Sequence, residues 1–155
     1  MKTVFISLIL ISAITMHTNA QDETALRIKN FNLEKGLAIQ GYDPIAYFKQ
    51  NKAIKGSKDL AVYHQGVTYR FSSVANKEAF KANPSKYEPE YGGWCAYAMG
   101  AKGEKVTVDP ETFKIVDGKL YLFYNKFFNN TLTSWNKDES HLKNEADLNW
   151  KKIYH

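Results

Sequence analysis

Residues 60–71 read Leu-Ala-Val-Tyr-His-Gln-Gly-Val-Thr-Tyr-Arg-Phe, and this stretch decides the fold class. Two runs rich in β-branched and aromatic residues flank the pair Gln65-Gly66, a combination that predicts a β-hairpin. Apolar side chains alternate along the second run, so one face of that strand is expected to be buried. The residues predicted to share this face are Val67, Tyr69 and Phe71.

The surrounding sequence predicts a second hairpin and several short helices. Asp117-Gly118, among the strongest two-residue turn signals, lies between strand-like runs at 113–116 and 119–124. Capping residues and apolar periodicity predict the helices. Their expected starts are Asp43-Pro44, Ser72 or Ser73, Trp94, Lys126 and Lys137. We therefore expect an α+β fold, a small single domain of two β-hairpins with packed helices and a helical C-terminus.

Residues 1–20 have the pattern of a secretory signal peptide. Lys2 precedes an apolar stretch at 4–16, and small or polar residues lead up to Gln21. The apolar stretch is too short to span a bilayer as a mature helix, although an uncleaved anchor is the alternative. We expect cleavage after Ala20 and a periplasmic or secreted protein without stable membrane insertion. Residues 21–36 would then form an N-terminal arm on a domain spanning 37–155.

The charge pattern argues against nucleic-acid binding. The chain of 155 residues has a formal charge of +5, but its lysines alternate with acids and only two arginines occur. A nucleic-acid interface requires a basic block or stripe, which this pattern does not provide. Ten tyrosines, nine phenylalanines and three tryptophans instead supply the buried area that a small domain without disulfides needs.

Cys95 is the only cysteine, and it follows the pair Gly92-Gly93 in an aromatic-rich run. A lone thiol is an inert buried group, a reactive group or a metal ligand. If a helix starts near Trp94, Cys95 lies in its first turn, where unpaired backbone N–H groups favour the thiolate. The hydroxyl groups of Tyr91 and Tyr97 are candidate hydrogen-bond donors to it.

Two further residues are candidate metal ligands. Met99 follows Cys95 by four positions, so both would share one helix face, and a thiolate with a thioether suits Cu(I). His64, at the predicted hairpin turn, is the third candidate if the fold brings it near Cys95. The alternative is a core methionine and a surface histidine. A Gly-x-Ser-x-Gly elbow does not occur, and the residue types favour a role other than catalysis.

Four motifs in this order resemble a YHS domain: GYDPIAYF at 41–48, YRFSS at 69–73, YGGWCAYA at 91–98 and VDGKLYL at 116–122. The resemblance covers about residues 37–150 and is to the exported bacterial branch called YHS domain-containing (seleno)proteins. It implies a small α+β module related to treble-clef-like metal-binding domains.

The resemblance also bears on the chemistry. Metal-associated relatives carry cysteines where this chain has Ala46 and Ser72, so that pair of soft ligands is missing here. The exported branch keeps a cysteine or selenocysteine at the position of Cys95, which implies redox or soft-metal chemistry there.

The leading hypothesis from the sequence is an exported YHS-domain protein that binds a soft metal, most plausibly copper, or a small ligand through Cys95. Met99 and His64 would assist as ligands, and five aromatic residues would form the walls: Tyr42, Tyr47, Tyr69, Trp94 and Tyr97. One alternative is a thiol-redox protein in which Cys95 is the nucleophile and an external thiol is the partner. Another is a structural or partner-binding domain with an inert cysteine.

Overall fold

The computed structural model of this chain describes residues 21–155. The predicted signal peptide at 1–20 lies outside the described residues. Helix α1 covers residues 21–30, within the predicted N-terminal arm. Across 21–155, no helix combines the length and the apolar character needed to cross a bilayer.

A four-stranded sheet forms one half of the domain, with the strand order β1-β2-β4-β3. In chain order its strands are β1 (Leu33–Glu34), β2 (Leu37–Ala38), β3 (Ser57–His64) and β4 (Val67–Phe71). Strands β3 and β4 form the predicted hairpin, with Val62 opposite Tyr69, and β2 lies parallel to β4. The predicted alternation is confirmed, since Val67, Tyr69 and Phe71 each expose 1% or less of their surface. They pack around the buried ring of Phe80.

Three short helices pack on this sheet; the first two begin at the predicted caps, and the third was not predicted. They are α2 (Pro44–Gln50), α3 (Val74–Ala82) and α4 (Pro84–Tyr87). The Asp43 carboxylate accepts the Ile45 N–H at 2.8 Å, and the Ser73 hydroxyl accepts the Asn76 N–H at 3.1 Å. The other Asp43 oxygen accepts from the Ser72 hydroxyl at 2.6 Å and from the Asn76 amide at 2.7 Å. Asp43 therefore ties the start of α2 to the start of α3.

The second half of the domain contains the other predicted hairpin and the helical C-terminus. Its strands are β5 (Asp109–Val116) and β6 (Lys119–Phe123), followed by the small hairpin β7 (Asn125–Lys126) and β8 (Asn129–Asn130). Its helices are α5 (Ala96–Lys102), α6 (Thr131–Trp135) and α7 (Glu139–Ile153). The α+β fold class, with the two predicted hairpins, packed helices and a helical C-terminus, is confirmed; β1–β2 and β7–β8 are two further short hairpins.

Two hydrophobic clusters share the interior. The first joins the four-stranded sheet to α2, α3 and one side of β6, and it includes Cys95. The second joins the other side of β6 to α5, α6 and α7, and it includes Met99. Because Leu120 and Leu122 face the first cluster while Tyr121 and Phe123 face the second, β6 is the strand that connects the two clusters.

Three predicted boundaries are wrong. The helix expected from Lys137 begins at Glu139. The helix expected from Trp94 begins at Ala96, so Cys95 precedes it. The helix expected from Lys126 begins at Thr131, because Asn130 caps it there by accepting the Leu132 N–H at 3.0 Å.

Candidate functional site

The backbone conformation before α5 places Cys95 in the interior, between the segment at Val106 and strand β6. The 3-10 turn Glu90–Gly93 contains three successive left-handed residues, with φ of 55° at Tyr91, 61° at Gly92 and 84° at Gly93. Glycine tolerates this conformation, and the turn redirects the chain ahead of α5. The Cys95 N–H then donates to the Val106 carbonyl at 2.9 Å, and Cys95 bridges to Leu122 of β6. The Cys95 side chain is fully buried.

The sulfur of Cys95 belongs to a closed ring of hydrogen bonds. The Tyr124 N–H donates to Sγ at 3.4 Å, and the Thr131 Oγ1 lies 3.4 Å from Sγ. The Thr131 hydroxyl donates its single proton to the Tyr124 carbonyl at 2.9 Å. Because that proton is already used, the Thr131 oxygen accepts the S–H of Cys95. The Cys95 side chain therefore has a partner for its S–H and for its sulfur lone pairs.

Neither tyrosine predicted to bond the sulfur is among these partners. The Tyr91 hydroxyl donates to the Asp147 carboxylate at 2.9 Å. Burial raises the pKa of Tyr91, and the nearby Asp147 raises it further. Tyr91 is thus held as a neutral donor that joins the 3-10 turn to α7.

A cavity of about 250 Å³ ends on Cys95, and we call it the thiol pocket. Cys95 and Thr131 are buried at its floor, whereas Lys102, Glu104 and Asn129 are exposed at its rim. Its walls are mainly apolar or aromatic: Tyr97, Ala98, Ala101, Val106 and Tyr124. Because Cys95 has no solvent-exposed surface, its side chain lies within the floor and does not project into the opening.

Helix α5 lies between the pocket and the second cluster: one of its faces lines the pocket, and the opposite face packs in the cluster. Residues 97, 98, 101 and 102 line the pocket, whereas Ala96 and Met99 belong to the second cluster. Gly100 lies so close to α7 that an added Cβ would be 2.3 Å from the Leu142 carbonyl oxygen. Met99 does not line the pocket, since Cys95 precedes the helix and the spacing of four no longer places both side chains on one face.

The structure does not bring His64 to the pocket either. His64 ends β3, and its ring packs edge-on against Phe80 with the ring centres 6.2 Å apart. Among residues 21–155, no group of three or more His, Cys, Asp or Glu side chains is arranged to hold a metal ion. Cys95 is the only thiol or thioether lining the pocket. A single soft donor beside a threonine hydroxyl does not match the donor set expected for Cu(I).

Of the five aromatic residues predicted as walls, Tyr97 lines the thiol pocket and four are placed elsewhere. Tyr42 donates to Glu111 at 3.0 Å, and Tyr47 donates to the Pro110 carbonyl at 2.9 Å. Burial raises the pKa of Tyr47, which keeps this hydroxyl a donor.

The other two aromatic residues hold the N-terminal arm in place. Tyr69 donates to Glu88 at 2.7 Å, and the Trp94 indole donates to the Asn30 carbonyl at 2.6 Å. Arg27 of α1 forms a buried ion pair with the same Glu88 carboxylate. Its Nε also donates to the Gln65 carbonyl at 3.1 Å. These contacts dock α1 on the hairpin β3–β4 and do not reach Cys95.

Sequence reasoning missed eight of the residues that line the pocket: Ala98, Ala101, Lys102, Glu104, Val106, Tyr124, Asn129 and Thr131. Asn130-Thr131 could have been read as a helix start because asparagine is a favoured cap. No sequence rule would have placed Thr131 beside Cys95, since 36 residues separate them and only the packing of α6 on β6 brings them together.

Comparisons with protein-family models, with curated proteins and with solved structures find no match for this chain.

Proposed function

We propose that this protein is an exported, YHS-like binding module, and not an enzyme, that holds a small, neutral, largely apolar molecule in the thiol pocket. The observation that carries the proposal is the cavity of about 250 Å³ whose floor is the only cysteine of the chain. The signal-like N-terminus and the YHS-like motifs support export and family type.

The size of the pocket limits the ligand. A volume of about 250 Å³ holds about eight water molecules at liquid density. It is slightly below the range of roughly 300–1,000 Å³ typical of sites for drug-sized molecules. A single substituted ring or a short branched chain fits this space.

The lining favours a ligand without net charge. The walls are alanine, valine and tyrosine side chains, which contribute affinity through buried apolar area. Lys102 and Glu104 stand at the rim with opposite charges and are both exposed. Exposed charges of opposite sign largely cancel and are screened by salt, so neither selects an ion.

The burial of the Cys95 sulfur favours a role in binding a small molecule. It argues against the two other roles considered for the thiol, as a redox nucleophile and as a copper ligand. A buried cysteine behaves as a small hydrophobe, so Cys95 supports the apolar floor of the pocket without having to react. A redox nucleophile must meet its partner, and Cys95 has no exposed surface. A copper site needs a second soft donor, which the pocket residues do not provide.

The experiment is a titration of the isotope-labelled protein with toluene, followed by NMR. We expect shifts concentrated in the backbone amide signals of Cys95, Tyr124 and Thr131. Ala98→Leu should fill the pocket and abolish those shifts. Ala75→Leu, the same change at an exposed helical site on α3, should leave them intact. Equal shifts in the wild type and Ala98→Leu, or shifts spread over other regions, would overturn the proposal.

Two further measurements separate the alternatives. In a Cu(I) titration against a competing chelator, stoichiometric uptake lost in Cys95→Ser would replace the proposal with the copper hypothesis. In a labelling experiment with iodoacetamide, we expect folded Cys95 to react at least about a hundredfold more slowly than in urea, because labelling then requires local opening. Fast labelling of the folded protein would instead favour the redox alternative.

A further inference from the structure

The turn between β7 and β8 consists of two phenylalanines in an uncommon conformation. Phe127 and Phe128 have φ of 52° and 62°. They connect strands paired as Lys126 with Asn129 and Asn125 with Asn130. Phe127 is 89% exposed and Phe128 is fully exposed at 111%. We call this pair the aromatic tip.

Other turns of the same chain show what this geometry normally requires. The other three hairpin turns place two successive residues in the left-handed region, and each has glycine second: Lys35-Gly36, Gln65-Gly66 and Asp117-Gly118. Ile39 and Gln40 are also left-handed without a glycine second, but they lie in a 3-10 turn and not in a hairpin. The hairpin turn with two left-handed residues favours Asn-Gly or Asp-Gly, because a Cβ makes this conformation costly. The aromatic tip therefore violates the turn preference and exposes two large apolar rings at the same place. Neither ring belongs to either hydrophobic cluster.

Along the chain, the charged residues nearest the tip on both sides are lysines, although Glu104 lines the pocket rim together with Asn129. Between Asp117 and Asp138 the chain carries no acidic residue and three lysines, Lys119, Lys126 and Lys137. Lys126, beside the tip, is exposed and takes part in none of the ion pairs found within residues 21–155. Exposed aromatic rings flanked by lysine and asparagine match a bilayer interface, where rings enter the headgroup region and ammonium groups meet anionic lipids.

We propose that the aromatic tip inserts into the interface of a membrane that contains anionic lipids. A bilayer needs only protruding apolar rings and nearby positive charge, both of which the tip has. A protein partner would instead need a cleft shaped for two adjacent rings. Asn129 lies at the rim of this pocket, so a docked protein would hold its pocket opening close to the lipid. The inference stands without any ligand in the pocket.

The first test measures sedimentation with vesicles of phosphatidylcholine, with and without phosphatidylglycerol. The protein is purified after export from its expression host, in the processed form that the host yields. Replacing the tip by Phe127→Asn with Phe128→Gly should weaken vesicle binding at least about tenfold, since burial of each ring contributes to binding. The same variant should be at least as stable as the wild type, because Asn-Gly suits the turn. If vesicle binding falls while stability stays the same or rises, then the loss of binding cannot be due to a folding defect.

Two matched variants test location and charge. Tyr63→Asn with Val74→Ser removes two other exposed apolar side chains, which are 70% and 64% exposed, and should leave vesicle binding unchanged. Lys126→Gln should reduce the preference for phosphatidylglycerol about fivefold, the change expected for one lysine near an anionic surface.

A fluorescence measurement tests whether the tip itself enters the bilayer. Its result does not depend on which N-terminus the purified chain carries. Phe127→Trp should gain fluorescence that brominated lipid chains quench, whereas Tyr63→Trp should not be quenched. Unchanged vesicle binding in the tip variant, or an unquenched Trp at position 127 in the vesicle-bound protein, overturns the inference. A wild-type dimer that the tip variant dissociates in the absence of lipid also overturns it, in favour of a second copy.

Discussion

The Oγ1 of Thr131 lies 3.4 Å from the Sγ of Cys95, and the same hydroxyl donates a hydrogen bond to the Tyr124 carbonyl. This one hydroxyl connects the first turn of α6 to the floor of the thiol pocket and to the chain just after β6. The hydroxyl therefore fixes the position of the sulfur and closes the lower end of the pocket. Its removal is the smallest change that tests the site.

Thr131→Val removes the hydrogen bond to the Tyr124 carbonyl and the weak one from the Cys95 S–H, and it should lower the free energy of unfolding by about 1–2 kcal/mol. The Tyr124 carbonyl keeps its bond from the Thr131 N–H at 3.0 Å, so the loss should stay small. Thr131→Ser retains the hydroxyl and is the control for the hydrogen bond. Urea denaturation measures both. A loss for Ser that equals the loss for Val would show that the hydroxyl is not the stabilising group.

The buried ion pair between Arg27 and Glu88 should be the main attachment of the N-terminal arm. Their side chains are 6% and 13% exposed, and removing one partner of a buried pair typically costs about 3–5 kcal/mol. We expect Arg27→Met to lower stability by about 3 kcal/mol and to increase proteolysis within 21–30. The double variant with Glu88→Gln should recover part of the loss, since no unpaired carboxylate remains.

The exposed pair Lys81–Glu78 is the control for this prediction. Both side chains are about half exposed, and such surface pairs contribute about 0–1 kcal/mol. Lys81→Met should therefore change the urea midpoint little. If the Lys81 and Arg27 variants lose similar stability, then the Arg27 pair is not functioning as a buried attachment.

Sequence reasoning predicted those parts of the fold that depend on neighbouring residues. The hairpin turns at Gln65-Gly66 and Asp117-Gly118 and the caps at Asp43 and Ser73 each depend on a few adjacent positions, and the structure has all four. The aromatic tip has the same turn geometry without the turn residues. Its sequence therefore predicts a helix start at Lys126 in place of a turn.

The candidate site was less predictable because it depends on packing between distant segments. Sequence reasoning identified Cys95 as the central residue, and a cavity does end there. It paired Cys95 with Met99 on the assumption of a continuous helix. The start of α5 at Ala96 turns Met99 toward α7 instead. A two-residue shift in a helix boundary thus changed the apparent ligand set.

Buried tyrosines should make the fold sensitive to alkali. Burial raises the pKa values of Tyr47, Tyr69, Tyr91 and Tyr121 above the ordinary value of 10.0. A group whose pKa is raised in the folded state contributes stability that is complete below its unfolded pKa. That contribution is lost as the pH rises above 10 toward the folded pKa. We expect the urea midpoint to fall steeply from about pH 10 to pH 12.

Tyr91→Phe tests one contribution to this alkaline loss. The variant removes a phenol whose pKa is raised by burial and by Asp147, so stability should depend less steeply on pH above 10 than in the wild type. At neutral pH it should lose about 1 kcal/mol, because the hydrogen bond to Asp147 is gone. An unchanged alkaline slope would show that Tyr91 ionises as readily in the folded state as in the unfolded chain.

Gly100→Ala should increase the helix propensity of α5 but disturb its packing against α7. We expect the loss in packing to be the larger effect. Alanine favours a helix interior over glycine by about 1 kcal/mol. The added Cβ would, however, lie 2.3 Å from the Leu142 carbonyl oxygen, a backbone atom that cannot rotate away. Separating α5 from α7 would disturb Met99, Leu142 and Ala146. Overpacking of this kind typically costs about 1–3 kcal/mol beyond the propensity gain.

Ala101→Gly, at an exposed position of the same helix, should cost only about 1 kcal/mol. Urea denaturation of the two variants decides the sign, and a Gly100→Ala protein more stable than the wild type would show that α7 can move away from α5 at little cost.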